Sequence, residues 1–133
     1  MTVDSYYRAS VVPHSKQPPM QGRQECRVAI VGGGIAGLNT ALCLAERGMR
    51  DVVLLEAEDI AFGASGRNGG FVFAGYSLGE RSLLDRLGRD KARALFARTT
   101  LAVNLIRERI GRYAIDCDVV DAGVIWANWF RDP

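Results

Sequence analysis

The chain has 133 residues, of which 48% are hydrophobic and 24% are charged, and its formal net charge is +2 at pH 7. This balance supports a hydrophobic core and excludes an intrinsically disordered chain, which needs low hydrophobicity and high net charge. No apolar run is long enough to cross a bilayer, and residues 1–25 lack the apolar centre of a secretory signal. The composition therefore predicts a cytoplasmic globular protein with no membrane partner.

The cysteine and histidine content excludes several kinds of site. Three cysteines lie at positions 26, 43 and 117, without CxxC spacing, which favours free thiols over disulfides. His14 is the single histidine and lies in residues 1–26, which are interpreted as an N-terminal leader. We therefore expect neither a metal site nor a histidine-based nucleophilic relay.

The most informative stretch covers residues 28–56, with the sequence VAIVGGGIAGLNTALCLAERGMRDVVLLE. Residues 28–31 are apolar on both pleat faces, as expected of a parallel strand covered by helices. From Ile35 onward apolar side chains recur at helical spacing, and Gly48 stands where a glycine is expected to end the helix. A second apolar run at 52–55 completes a predicted Rossmann-like βαβ unit, so the fold class is α/β.

The turn between the first strand and the helix carries the spacing GxGxxG. Gly32 permits the tight turn, Gly34 leaves backbone N–H groups open to a pyrophosphate, and Gly37 lets the helix pack closely. Glu56 follows Gly37 by 19 residues, close to the roughly 20 expected of an acid that binds a ribose hydroxyl. The pattern predicts a dinucleotide with an unphosphorylated ribose, in preference to an ordinary glycine turn.

The stretch at 57–75, AEDIAFGASGRNGGFVFAG, has no sustained helical or strand period. Its glycines permit close backbone approach, and Ser65, Arg67 and Asn68 offer hydroxyl, guanidinium and amide donors. A loop of this kind can wrap a second part of the ligand held at the glycine turn, which favours FAD over NAD. A flexible surface loop is the alternative.

The second half of the chain is less informative. Residues 90–113 have the period of a long helix, with an apolar stripe formed by Leu95, Ala102, Val103, Ile106, Ile110 and Tyr113. Basic residues are frequent at 81–112, but acids interrupt them, which favours a solvated helix face and no nucleic-acid partner. Apolar runs on either side of residues 121–123 predict a hairpin at 116–128.

Two blocks of sequence and three shorter segments together resemble the FAD-dependent D-amino-acid oxidase superfamily (glycine/D-amino acid oxidase-like), most closely its gamma-glutamylputrescine oxidoreductase-like branch. They are GGGIAGLNTALCLAERG, LLEAEDIAFGASGRNGG and the flanking segments SYYRAS, DKARALF and IDCDVVDAGVIWAN. The resemblance implies an FAD-dependent oxidoreductase that oxidises the C–N bond of a small-molecule amine or amino acid to an imine. It divides the chain into a leader (1–26), an FAD-binding βαβ unit with the flavin loop (27–80), a helical segment (81–114) and the start of an antiparallel substrate-domain sheet (115–133).

The same resemblance assigns a cofactor-binding set and leaves the catalytic residues unknown. The set is Gly32, Gly34, Ile35, Ala36, Gly37, Glu56, Ala57, Ser65, Gly66, Arg67, Asn68, Gly69 and Gly70. Because the loop holds neither histidine nor cysteine, the FAD is expected to be noncovalent. Members of the superfamily are considerably longer, so the chain is expected to be an N-terminal fragment; a noncatalytic FAD-binding remnant and an NAD-binding Rossmann domain are the alternatives.

Overall fold

A computed structural model describes residues 5–11 and 17–125. The chain divides into two compact units, Met1–Phe71 and Val72–Pro133, which are described separately. The first unit contains α1 (Tyr6–Ser10), β1 (Val28–Val31), α2 (Ile35–Glu46), β2 (Val52–Leu55) and a 3-10 turn (Ala64–Gly66). The second unit contains α3 (Glu80–Leu87) and α4 (Arg89–Arg112).

The centre of the first unit is a strand–helix–strand arrangement at the predicted bounds. β1 and β2 pair in parallel, with Val28 opposite Val52 and Val31 opposite Leu55. α2 packs against both strands, which is the connection that a parallel pair requires. The α/β class and this order of elements are confirmed.

α2 ends at the predicted glycine. Gly48 has φ of +79°, its N–H donates to the carbonyl of Ala45 at 2.9 Å, and the N–H of Met49 donates to the carbonyl of Leu44 at 3.0 Å. This is the Schellman pattern, which satisfies the last carbonyls of a helix and needs a residue in the left-handed region.

Only one face of β1 is covered by the described residues. Ile30 is buried beneath α2, whereas Val31 on the opposite pleat face is 85% exposed. Successive side chains of a strand point to opposite faces, so α2 can cover only one of them. The expected cover on both faces is therefore not present within residues 5–11 and 17–125.

The second unit is organised around α4. α3 packs against α4, and the chain before α3 is fastened to α4 by two hydrogen bonds. The N–H of Gly75 donates to Thr99 Oγ1 at 2.8 Å, and the Tyr76 hydroxyl donates to the carbonyl of Leu95 at 3.3 Å. None of the helices within the described ranges is long and apolar enough to span a membrane.

The packed face of α4 is displaced from the predicted stripe. Its less exposed positions are Ala92, Leu95, Thr99, Val103, Arg109 and Ile110. Ala102, Ile106 and Tyr113 were placed in the stripe but are exposed. The sequence holds apolar residues on two neighbouring helical faces, and packing against α3 and the preceding segment selected one of them.

The segment after α4 does not form the predicted hairpin over residues 115–125, which contain no strand; the remainder, 126–128, lies outside the described residues. An isolated two-stranded hairpin is marginally stable without a further strand or helix to pack on. Asp121 of this segment instead bonds through Oδ1 to the guanidinium of Arg107 at 2.6 Å. Hydrogen bonding to Asp121 raises the pKa of Arg107 above its ordinary value.

Replacing Ala114 by glycine is expected to stabilise the chain. Ala114 has φ of +48° and occupies the position after α4 that Gly48 occupies after α2. A residue with a Cβ in this region costs about 1–2 kcal/mol, so we expect Ala114→Gly to raise the free energy of unfolding by about 1 kcal/mol. Urea unfolding measures this change in the free energy of unfolding. The control is Ala102→Gly on the exposed face of α4, which should lower the free energy of unfolding by about 1 kcal/mol. An equal decrease in the free energy of unfolding in both variants would show that the backbone at Ala114 is not strained.

Candidate nucleotide site

The turn between β1 and α2 carries the first part of the site. Gly32 has φ of +100°, and its N–H donates to the carbonyl of Leu55 at 2.7 Å. This bond continues the β1–β2 ladder by one residue and sets the point at which the chain leaves the sheet. Gly34 then occupies the N-cap position of α2 and has no side chain to cap it.

Gly37 allows α2 to approach the turn. A Cβ added at Gly37 would overlap the carbonyl oxygen of Gly32 and would lie 3.4 Å from Ile30 Cγ2. The backbone carbonyl cannot move without reshaping the turn, so glycine is required here by close packing, as the GxGxxG spacing predicted.

The first turn of α2 presents donors. Within residues 5–11 and 17–125 no acceptor takes the backbone N–H of Ala36 or Gly37. N–H groups at the start of a helix have no intrahelical partner and lie at the positive end of the helix dipole. They are therefore suited to an anion such as a phosphate.

Glu56 lies at the end of β2 beside this turn. Its Oε2 accepts the N–H of Gly33 at 2.6 Å, and its Oε1 accepts the N–H of Glu58 at 3.0 Å. These backbone hydrogen bonds, that from Glu58 first and that from Gly33 second, lower the pKa of Glu56 below its ordinary value. A carboxylate has about four acceptor sites, and backbone N–H groups of Glu58, Gly33 and Ala57 all interact with this one, so it keeps limited capacity for a further donor.

Ser65 joins the turn to the glycine-rich loop, defined here as residues 57–70. Its Oγ accepts the N–H of Ile35, the first residue of α2, at 2.9 Å. A Cβ on Gly34 would lie only 2.9 Å from the same Oγ. The missing side chain of Gly34 thus makes room for Ser65, which caps α2 from thirty positions further along the chain.

The rest of the glycine-rich loop is held by its own side chains. Asn68 Nδ2 donates to the carbonyl of Ser65 at 2.8 Å, and Asn68 Oδ1 accepts the N–H of Gly70 at 2.8 Å. The Arg67 guanidinium donates to the carbonyl of Phe62 at 2.8 Å and lies 5.1 Å from the centre of the Phe62 ring. A Cβ on Gly66 would overlap the carbonyl of Ala61.

The predicted site residues fall into two groups. The turn, Glu56 and Ser65 are joined by direct hydrogen bonds, while Arg67 and Asn68 bond within the loop itself. Ala57 directly follows Glu56, and the members of the loop group are Gly66, Arg67, Asn68, Gly69 and Gly70. The loop therefore has a defined shape, in which Arg67 and Asn68 bond to backbone groups of the loop.

Sequence reasoning missed Gly33 and Ile60. Gly33 donates to Glu56, and its carbonyl accepts the N–H of Ala61 at 3.0 Å. A Cβ on Gly33 would lie 2.6 Å from Ile60 Cδ1. The signal for Gly33 was the run of three consecutive glycines at 32–34, because the GxGxxG spacing allows any residue between its first two glycines.

Removing the Ser65 hydroxyl is expected to loosen the start of α2. Loss of an N-cap typically costs about 1 kcal/mol, so Ser65→Ala should lower the free energy of unfolding by about that amount. Ser65→Thr keeps an acceptor and should lose less. Amide exchange at Ile35 measures the effect directly: unchanged protection in Ser65→Ala would show that the bond does not form in solution.

Comparison with known proteins identifies the family. The model of the FAD dependent oxidoreductase family (DAO) matches residues 27–132. The gamma-glutamylputrescine oxidoreductase of Escherichia coli (strain K12) is 45% identical over 123 residues, covering 92% of this chain and 29% of the relative. A probable oxidoreductase, OrdL, of Haemophilus influenzae is 38% identical over 116 residues, covering 87% of this chain and 27% of the relative.

The chain thus spans under a third of the length of these relatives, and no solved structure matches it. The family match takes in the glycine turn, Glu56 and the glycine-rich loop, which are the segments that the structure joins by hydrogen bonds. This confirms the resemblance drawn from the motifs. The chain belongs to the FAD-dependent oxidoreductase family.

Proposed function

We propose that this chain forms the FAD-binding part of a cytoplasmic oxidoreductase that converts the C–N bond of an amine or amino acid into an imine. Family membership supports the cofactor class, and the printed name of the Escherichia coli relative makes gamma-glutamylputrescine a candidate substrate. The observation that carries the proposal is the bond between Ser65 Oγ and the N–H of Ile35. It brings the glycine-rich loop to the start of α2, where a ligand longer than a single nucleotide can touch both.

The glycine turn fits the pyrophosphate of FAD. The backbone N–H groups of Ala36 and Gly37 supply donors without an acceptor in the described ranges, and Gly34 adds no side chain of its own beside them. Gly32 and Gly37 hold the turn and helix close together. The N–H of Ile35 donates to Ser65 Oγ in this structure. A phosphate oxygen can share this N–H with Ser65 or take the place of the Ser65 hydroxyl as its acceptor.

Glu56 is suited to the ribose of the adenosine half. Each of its oxygens accepts a backbone N–H, and a carboxylate has about four acceptor sites in all, so a ribose hydroxyl can still donate to it. Its negative charge disfavours a 2′-phosphate, which supports FAD or NAD over NADP. Ala57, the next residue, adds no charge at this end.

The glycine-rich loop is proposed to bind the flavin half. Gly66, Gly69 and Gly70 limit the bulk of the loop, while Arg67 offers guanidinium donors beyond the one used by Phe62. Asn68 keeps the loop in shape through its bonds to Ser65 and Gly70. Because no cysteine or histidine occurs in the loop, we propose noncovalent attachment.

Bound flavin supplies an acceptor for the hydride that leaves the substrate carbon. The residues of this chain would hold and orient the cofactor: the glycine turn its pyrophosphate, Glu56 its ribose and the glycine-rich loop its flavin half. No side chain of the described ranges is assigned to proton transfer from the amine.

Ligand titration of the purified chain tests the proposal. Quenching of FAD fluorescence on binding should give a lower Kd for FAD than competition experiments give for ADP or NAD⁺. ADP contacts the turn and Glu56 but not the loop, and NAD⁺ lacks the flavin ring that the loop is proposed to bind. Val31 and Phe71 are exposed apolar side chains of the first unit, so this unit presents uncovered apolar surface. Because the site is part of that incompletely covered unit, we expect FAD to bind weakly and to dissociate during gel filtration.

Two outcomes would redirect the proposal. Tighter binding of NAD⁺ than of FAD would indicate an NAD-binding domain. Absence of binding to FAD and ADP alike would indicate a noncatalytic remnant. Oxidation of gamma-glutamylputrescine, sarcosine, glycine or D-amino acids by the longest reading frame that contains this chain then tests the substrate class.

A further inference from the structure

The N-terminal helix α1 lies against the glycine-rich loop. Its five residues are capped by Ser5, whose Oγ accepts the N–H of Arg8 at 3.3 Å, and the N–H of Val11 closes its end on the carbonyl of Tyr7 at 3.0 Å. A helix this short is not stable by itself. Its contacts with the rest of the first unit therefore decide whether it forms.

One contact is made at the beginning of the loop. Arg8 Nη2 lies 3.7 Å from Asp59 Oδ2, with the two side chains 41% and 19% exposed. The other oxygen of Asp59 accepts the N–H of Ile60 at 3.0 Å, and the Ile60 side chain lies over Gly33. Arg8 thus pairs with the beginning of the glycine-rich loop through Asp59.

Tyr7 lies beside the other end of the loop. The Tyr7 hydroxyl oxygen lies 3.7 Å from the position that a Cβ on Gly70 would take. Gly70 has φ of +69° and donates its N–H to Asn68. Tyr6, its neighbour in α1, points to solvent with 80% exposure, against 43% for Tyr7.

We propose that Tyr7 and Arg8 are positioning residues for the flavin half of the site. They lie beside opposite ends of the glycine-rich loop, so that α1 holds the loop in one shape before the ligand arrives. A loop that is already ordered loses less conformational entropy on binding, which increases affinity without a direct contact to the ligand. The assignment rests on the proposed function for the identity of the ligand.

The test compares FAD with ADP in matched variants of the full chain. Tyr7→Ala and Arg8→Gln are each expected to raise the Kd for FAD about two- to fivefold, because an exposed pair contributes little. Neither should change the Kd for ADP, which uses the turn and not the loop. Tyr6 is 80% exposed, and its ring meets that of Tyr7 edge-on at 5.7 Å between centroids, so Tyr6→Ala should weaken FAD binding less than Tyr7→Ala does. Arg8→Lys, which keeps the charge, should leave both constants unchanged.

Amide exchange in the ligand-free chain gives a readout that needs no flavin. Exchange at residues 59–70 should be faster in Tyr7→Ala and Arg8→Gln, with β1 and β2 unchanged. Any of three results would overturn the positioning role. The variants could weaken FAD and ADP binding equally, Tyr6→Ala could raise the Kd for FAD as much as Tyr7→Ala does, or amide exchange at residues 59–70 could stay unchanged. Failure of the unmodified chain to bind FAD would count against the proposed function instead, and the exchange comparison would still decide whether α1 holds the loop.

Discussion

Replacing Gly37 by alanine is expected to abolish detectable FAD and ADP binding and to destabilise the chain. The added Cβ would overlap the carbonyl oxygen of Gly32, so α2 must move away from the turn. Forcing extra volume into a close contact typically costs about 1–3 kcal/mol. The same movement would displace the N–H groups of Ala36 and Gly37 from the proposed phosphate position. Fluorescence titration and urea unfolding measure the two effects.

Gly111→Ala is the matched control for that experiment. A Cβ on Gly111 meets no atom within 4 Å, and the residue lies inside α4, where alanine is favoured over glycine by about 0.5–1 kcal/mol. We expect this variant to be more stable and to bind as the unmodified chain does. If Gly37→Ala kept its affinity for ADP, the close approach of α2 to the turn would not matter for binding.

Replacing Glu56 by glutamine is expected to raise the Kd for both FAD and ADP by about tenfold, because hydrogen bonds to a charged acceptor are stronger than those to a neutral one. Glutamine keeps the shape of the side chain but carries one acceptor oxygen in place of two. It can hold Gly33 or a ribose hydroxyl less well. Glu58→Gln, which alters a neighbouring acid while leaving its backbone N–H in place, should change affinity little.

The stability contributed by Glu56 is expected to depend on pH. Its pKa in the folded chain is lowered below the ordinary 4.5, so folding favours the charged form. The stabilisation is therefore complete above pH 4.5 and is lost as the pH falls through the folded pKa. Urea unfolding at pH 7 and at successively lower pH should show the unmodified chain and Glu56→Gln converging in acid. A constant difference down to pH 3 would mean that folding does not lower the pKa of Glu56.

Local sequence patterns predicted the regular elements well. β1, α2 and β2 occur where apolar periodicity placed them, and Gly48 ends α2 through its own backbone conformation. These features depend on residues within a few positions of one another. The hairpin expected near Asp121 does not form over 115–125, because a strand also needs a partner and a packed face, which its own residues do not supply.

By itself the sequence determined that a tight glycine turn is built at residues 32–37 between a strand and a helix, with an acid at the next strand end. The need for glycine at a turn and at a close helix approach is a property of the backbone, and it can be recognised from spacing. Only the tertiary structure decided that Ser65 caps α2, that Glu56 holds Gly33 and that Arg8 reaches Asp59. Those pairs are separated by 30, 23 and 51 positions, and the path of the chain between them depends on packing that no local pattern encodes.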